Sequence, residues 1–188
     1  MAKVPVGISN RHIFLSQKDT LKLFNTFDVP RKKTLGQEKY YVYEPSLEVI
    51  GNDGIIRNVK VIGPPRTTTQ VELLFGDCVR LGIKPLVRQS EDIANSPGCV
   101  LKSAFGQAEI KSGVIVAARH LHANIKDAKN LGLKQHEIIQ IRCEGKRALV
   151  FNNVLVRVDS FASLAFHIDF EEANAAGLKS GQLCDIIK

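Results

Sequence analysis

Short apolar runs broken by Gly, Asn and Asp dominate the pattern of this chain. Runs at 47–50 and 55–62 flank Gly51-Asn52-Asp53-Gly54, which predicts a hairpin. Runs at 107–110 and 114–122 flank Lys111-Ser112-Gly113, and runs at 138–143 and 148–151 flank Glu144-Gly145-Lys146. Two more lie at 154–158 and 166–168. Each is too short for a helix and rich in Val and Ile, so all are predicted strands.

Helical periodicity is confined to short pieces. Segments 77–84, 127–134 and 172–179 resemble one another at spacings of 50 and 45 residues. Each reads as one or two turns stopped by a glycine (Gly82, Gly132, Gly177) and followed by an apolar residue that enters the next strand. Asn124 with Asp127, and Asp169 with Glu172, have the spacing of N-terminal caps. Recurring helix–glycine–strand units among many strands predict a mainly β chain. Two related β-barrels with short capping α-helices fit better than a bundle or a parallel sheet. The copies are too few and too irregular for a solenoid.

A second repeat carries the chemistry. Arg11-His12-Ile13-Phe14-Leu15-Ser16-Gln17-Lys18-Asp19 matches Arg119-His120-Leu121-His122-Ala123-Asn124-Ile125-Lys126-Asp127, 108 positions on. Three of the five histidines fall in these segments. In a strand, residues i and i+2 share a side, so His120 and His122 can face one point and serve as zinc ligands. His-x-His alone is equally a pair of half-exposed histidines. Three other residues add to the picture. His167 sits between apolar neighbours, where a histidine is either a hydrogen-bonded core residue or a ligand. Glu72 lies in the apolar stretch 69–74, where its charge requires a metal or an arginine. Arg66 follows the stiff Gly63-Pro64-Pro65 and offers a planar fork for phosphate or carboxylate.

Composition narrows the partners. The chain has 188 residues and a net charge of +7, which favours an anionic partner. Aromatic residues are only 6%, Trp is absent and no recognition helix is seen, so a phosphorylated small ligand fits the charge as well as nucleic acid does. The densest basic cluster, Arg31-Lys32-Lys33, is expected in a loop. No apolar run spans a bilayer, and the N-terminus lacks a signal's apolar region. Cys78, Cys99, Cys143 and Cys184 lack CxxC spacing, which favours reduced thiols over a disulfide framework.

These motifs match a family. Val4-Pro5-Val6-Gly7-Ile8-Ser9-Asn10-Arg11-His12 resembles the opening of the PduL-type phosphate propanoyltransferases, or phosphotransacylases. The stretch Gly63-Pro64-Pro65-Arg66-Thr67-Thr68-Thr69-Gln70-Val71-Glu72 is similar to a second block of that family, and 113–122 to a third. Asn152-Asn153-Val154-Leu155-Val156-Arg157-Val158, with His167-Ile168-Asp169 and 172–177, resembles the last.

The resemblance implies two β-barrels built from discontinuous segments. The expected division is 1–9 with 118–188, and 10–23 with 45–117, leaving 24–44 as a loop or insertion. It implies a cytoplasmic homodimer without nucleic-acid or membrane partners. The implied reaction converts acyl-CoA (acetyl- or propanoyl-CoA) and phosphate to acyl phosphate and CoA. One or two zinc ions per chain are implied. Glu72, His120, His122 and His167 would hold one ion. His12, with a second histidine at position 14, would hold the other near the CoA sulfur. Arg66 would bind phosphate, and Ile8, Ser9, Asn10, Asp53, Lys60 and Asn174 would contact CoA. Direct attack of phosphate on the thioester is the mechanism expected.

Phe14 departs from the family pattern, because phenylalanine cannot ligate a metal. One alternative is therefore a non-catalytic relative that binds CoA or acyl phosphate. A second departure is that the match starts at Val4, without the helical extension of members packaged in microcompartments. A nucleic-acid-binding barrel would rest on charge alone.

Overall fold

Alternation of apolar and polar positions in short β-rich runs produces a mainly β chain, 47% strand and 16% helix. The computed structural model describes residues 2–35 and 40–187. The strands in chain order are β1 (Lys3–Ser9), β2 (His12–Ser16), β3 (Arg31–Thr34), β4 (Tyr41–Ile50), β5 (Ile55–Arg66), β6 (Gln70–Leu73), β7 (Val87–Arg88) and β8 (Cys99–Lys102). They continue with β9 (Gln107–Ile110), β10 (Val114–Ala117), β11 (His120–Ala123), β12 (Ile138–Cys143), β13 (Leu149–Val158), β14 (Ala165–Asp169) and β15 (Leu183–Ile187). The helices are α1 (Gln17–Phe24), α2 (Phe75–Leu81), α3 (Ile125–Leu131) and α4 (Phe170–Ala176). No described helix is long and apolar enough to cross a membrane.

The chain divides into two compact units, 1–10 with 118–188 and 11–117. In the first, six strands close a barrel in the order β1-β14-β11-β13-β12-β15. Its core is formed by inward residues such as Val4, Leu121, Ile141, Val156 and Phe166, all fully buried. Each such side chain contributes roughly 1.5–3 kcal/mol by leaving water. In the second unit, nine strands form one curled sheet, a half-barrel rather than a closed one. Its core includes Ile13, Leu15, Val59, Val61 and Val71.

The three seven-residue helices end as the repeat predicts. Gly82, Gly132 and Gly177 adopt φ of 65°, 61° and 66°, the left-handed conformation that glycine reaches without strain. Asn124 accepts from the Asp127 amide, and Asp169 and Glu172 form a reciprocal capping box. Helices this short are unstable alone, so caps and packing hold them. In α4, Ala173 and Ala176 are buried in the barrel core.

Several expectations need correction. The run 114–122 is two strands, because the chain leaves one sheet after Ala117 and enters the other unit at Ala118. Lys111-Ser112-Gly113 therefore does not join a hairpin: β9 pairs with β8, while β10 pairs with β6 and β7. The runs at 148–151 and 154–158 belong to one strand, β13. Arg31-Lys32-Lys33 lies in a strand, not a loop. Its exposed charges suit an edge position, and β3 pairs with β4 alone. Residues 36–39 of the expected insertion lie outside the described residues. Cys143 and Cys184 form a disulfide rather than two free thiols. Antiparallel pairing of Arg142 with Asp185 brings the next residues opposite each other, with Cα atoms 4.7 Å apart, inside the range a disulfide requires. Cys78 and Cys99 are buried and take no part in a disulfide.

Candidate active site

In the barrel unit, strand alternation sorts β11 into two faces. Leu121 and Ala123 are buried in the core, and His120 and His122 point to the other side. Antiparallel pairing with β14 then sets His167 directly across from His120. The three imidazoles pack edge to face, with ring centroids 4.6, 4.9 and 5.2 Å apart. One ligating atom from each lies within 4.8 Å of the others. His120 and His122 bring their Nε2 atoms to 3.0 Å. Two nitrogens bound tetrahedrally to one zinc at ordinary Zn–N lengths are roughly 3.3 Å apart, so the pair is close to ligating geometry.

Protonation favours the same use. His120 Nδ1 lies 2.9 Å from the Ala118 carbonyl oxygen. A carbonyl only accepts, so Nδ1 carries the proton and Nε2 keeps its lone pair. Burial, followed by the positive charge of neighbouring groups, pushes His120 down to about 3 and His122 down to about 4. Both rings are therefore neutral at pH 7 and available as ligands. His122 Nδ1 is buried with no hydrogen-bond partner among the described residues. Two neutral imidazoles, the neighbouring His167 ring and one orphaned nitrogen form a donor set that suits a divalent transition metal.

Backbone and charge pairs hold this cluster. Gly7 in β1 pairs with His167, and a Cβ there would come within 2.7 Å of the imidazole Nε2. Only glycine leaves that ring its place. Arg119 Nε meets Glu172 Oε1 at 2.7 Å, which ties the start of β11 to the first turn of α4. Burial raises the Glu172 pKa, and Arg119 works against that rise.

The second unit repeats this frame with different side chains. Antiparallel pairing of β2 with β6 sets His12 across from Glu72, as β11 and β14 set His120 across from His167. Arg11 Nε meets Asp77 Oδ2 at 2.6 Å in the first turn of α2, the counterpart of Arg119 and Glu172. His12 Nε2 lies 3.3 Å from Glu72 Oε2. Glu72 Oε1 accepts from Gln70 Nε2 at 2.6 Å and from the Ser90 hydroxyl at 3.1 Å. Ser90 Oγ in turn accepts from Arg66 Nη1 at 3.1 Å. Phe14 stands where the barrel unit has His122, and the Arg66 guanidinium lies over its ring. Buried Glu72 is thus satisfied by Gln70, Ser90 and His12, where its apolar stretch points to a metal or an arginine.

Comparison with known proteins decides the family. Residues 5–179 match the family model described as phosphate propanoyltransferase. A Thermotoga maritima protein named phosphate propanoyltransferase is 41% identical over 185 residues, 97% of this chain and 88% of its own length. Namesakes from Shewanella putrefaciens and Salmonella typhimurium are also 41% identical. They cover 95% and 93% of this chain and 85% and 83% of their own lengths. The chain belongs to the phosphate propanoyltransferase family. By that membership it is an acyltransferase.

Within this phosphate propanoyltransferase-family chain, the expected site residues fall into both units. His120, His122 and His167 come together in the barrel, while Glu72, His12 and Arg66 come together in the half-barrel. His136, the fifth histidine, is exposed and outside the barrel cluster. Ile8 and Ser9 end β1 in the barrel unit and Asn10 follows them, and Ser9 Oγ donates to the Ile168 carbonyl at 3.4 Å. Asn174 is exposed on α4 of the same unit. Asp53 lies in the exposed turn between β4 and β5, and exposed Lys60 pairs in register with His12.

Sequence reasoning missed Gly7, Gln70 and Ser90. Gly7 and Gln70 lie inside the quoted motifs, but only cross-strand register reveals their partners. Ser90 carries no signal, being brought to Glu72 from 18 residues away by the segment after β7.

Proposed function

We propose that this chain is a metal-dependent phosphate acyltransferase that interconverts acyl-CoA and phosphate with acyl phosphate and CoA. The observation that carries the reading is the cluster of His120, His122 and His167, with two Nε2 atoms 3.0 Å apart, in a chain 41% identical to proteins of that name. In this reading the three histidines hold a zinc ion, with Glu72 assigned to it by the family resemblance. The bound ion supplies Lewis acidity toward the thioester carbonyl and the departing sulfur.

The chain's own side chains supply the remainder. The Arg66 fork binds phosphate and offsets its charge. Ser90 fixes one guanidinium nitrogen, so the fork is oriented before phosphate arrives. A phosphate oxygen then attacks the thioester carbonyl carbon. The C–S bond breaks, its electron pair leaves with CoA sulfur, and the acyl group remains on phosphate. No side chain is acylated. The net charge of +7 favours capture of polyanionic CoA, for which Ile8, Ser9, Asn10, Asp53, Lys60 and Asn174 are the assigned contacts. Acetyl- and propanoyl-CoA are both assigned as substrates, and the resemblance supports a cytoplasmic homodimer. The relatives are named as enzymes, and a purely non-catalytic binder draws no support from them.

Substitution of a ligand tests the reading. In His122→Ala, metal content should fall by about one ion per chain and phosphate-dependent CoA release should drop at least about hundredfold. Full activity in a metal-depleted variant would refute it.

A further inference from the structure

Strand β2 presents two faces. Ile13 and Leu15 enter the core of the half-barrel unit, while His12 and Phe14 lie on the opposite side. Phe14 is only 6% exposed, yet it is not part of the hydrophobic core cluster. What buries it is polar chemistry. The Arg66 guanidinium carbon sits 3.4 Å from the ring centroid, over the ring face. The ring meets His12 edge to face at 5.1 Å and 82°, and Tyr40 at 6.2 Å and 65°. Two aromatic neighbours at near-perpendicular and tilted angles restrict how the face is turned.

We infer that Phe14 is a positioning residue for Arg66, holding the guanidinium by its ring face so that the fork is set for phosphate. The inference rests on the reading of Arg66 as the phosphate-binding residue. A ring face is electron-rich and attracts a guanidinium, most strongly where water is partly excluded. Arg66 is one-sixth exposed, at 17% of its side chain, so it meets that condition. Ser90 holds Nη1 from a second direction. A long flexible cation fixed at its face and at one nitrogen loses less freedom when its anion binds. The register shows what position 14 exchanges. In the barrel unit the same place carries His122, whose ring packs against those of His120 and His167. At Phe14 a ligating nitrogen is replaced by a surface that seats a cation.

The test measures steady-state kinetics with inorganic phosphate and acetyl-CoA varied separately in the metal-loaded protein. Phe14→Leu keeps an apolar side chain and removes the ring face. It should raise KM for phosphate roughly threefold to thirtyfold and leave KM for acetyl-CoA within twofold. Phe14→Tyr, which retains the face, should return KM for phosphate to within twofold of the parent. Phe14→Met makes the same comparison should the leucine variant be insoluble. An unchanged phosphate KM in Phe14→Leu, or an equal loss in Phe14→Tyr, overturns the inference. Arg66→Lys separates its failure from that of the underlying reading. If the lysine variant also keeps its phosphate KM, Arg66 is not the phosphate ligand. If only the lysine variant loses affinity, Arg66 binds phosphate without help from Phe14.

Discussion

His120 and His122 owe their low pKa values to burial, and this has a signed consequence. An unfolded histidine titrates near 6.5, whereas folding moves these two to about 3 and about 4. Between those limits the unfolded chain binds protons that the folded chain excludes, so the folded state loses stability as pH falls. Metal-free protein should show a melting temperature that declines steadily from pH 6.5 toward pH 4. A flat profile across that window would show that these rings are not buried as described. At Gly7 the prediction is steric. Gly7→Ala would press a methyl group into the His167 ring, so metal affinity should weaken roughly tenfold to hundredfold. A calorimetric metal titration would detect the change. Affinity equal to the parent would mean that His167 is not a ligand.

At the level of elements, two strand–helix frames of the same kind position the candidate site residues. Each has an Arg-His strand, a cross-strand partner for the histidine, and an acidic residue in a helix's first turn that holds the arginine. The helices depend on their caps. Asp169→Ala removes the acceptor for the Glu172 amide and half of a capping box, at a cost of about 1 kcal/mol. A thermal melt should fall by about 2–4 °C. No shift would place the stability of α4 in its packing alone. The elements were largely legible in the sequence, because alternation and glycine stops are local signals. The 47–50/55–62 hairpin, the three glycine-capped helices and both capping pairs follow from neighbours a few residues apart. Features that depend on distant partners were not legible. The break at Ala118, the strand formed by Arg31-Lys32-Lys33 and the Cys143–Cys184 bond are each decided by which strand lies alongside. The same limit hid Gly7 and Ser90 from the candidate site, whereas the His-x-His pair announced itself through strand period.

For the molecule as a whole, family membership and side-chain chemistry converge. A chain matched over residues 5–179 to phosphate propanoyltransferases holds three histidines in one unit, with one ligating atom of each within 4.8 Å of the others. In the other it holds an arginine joined through Ser90 to Glu72. In the proposed function, these residues perform metal-dependent acyl transfer to phosphate. The most direct test follows free CoA thiol released from propanoyl-CoA in the presence of phosphate, before chelation, after chelation and after zinc is restored. Release should require phosphate, disappear with the metal and return with zinc. Undiminished release from metal-free protein, or no release from zinc-loaded protein, would contradict it.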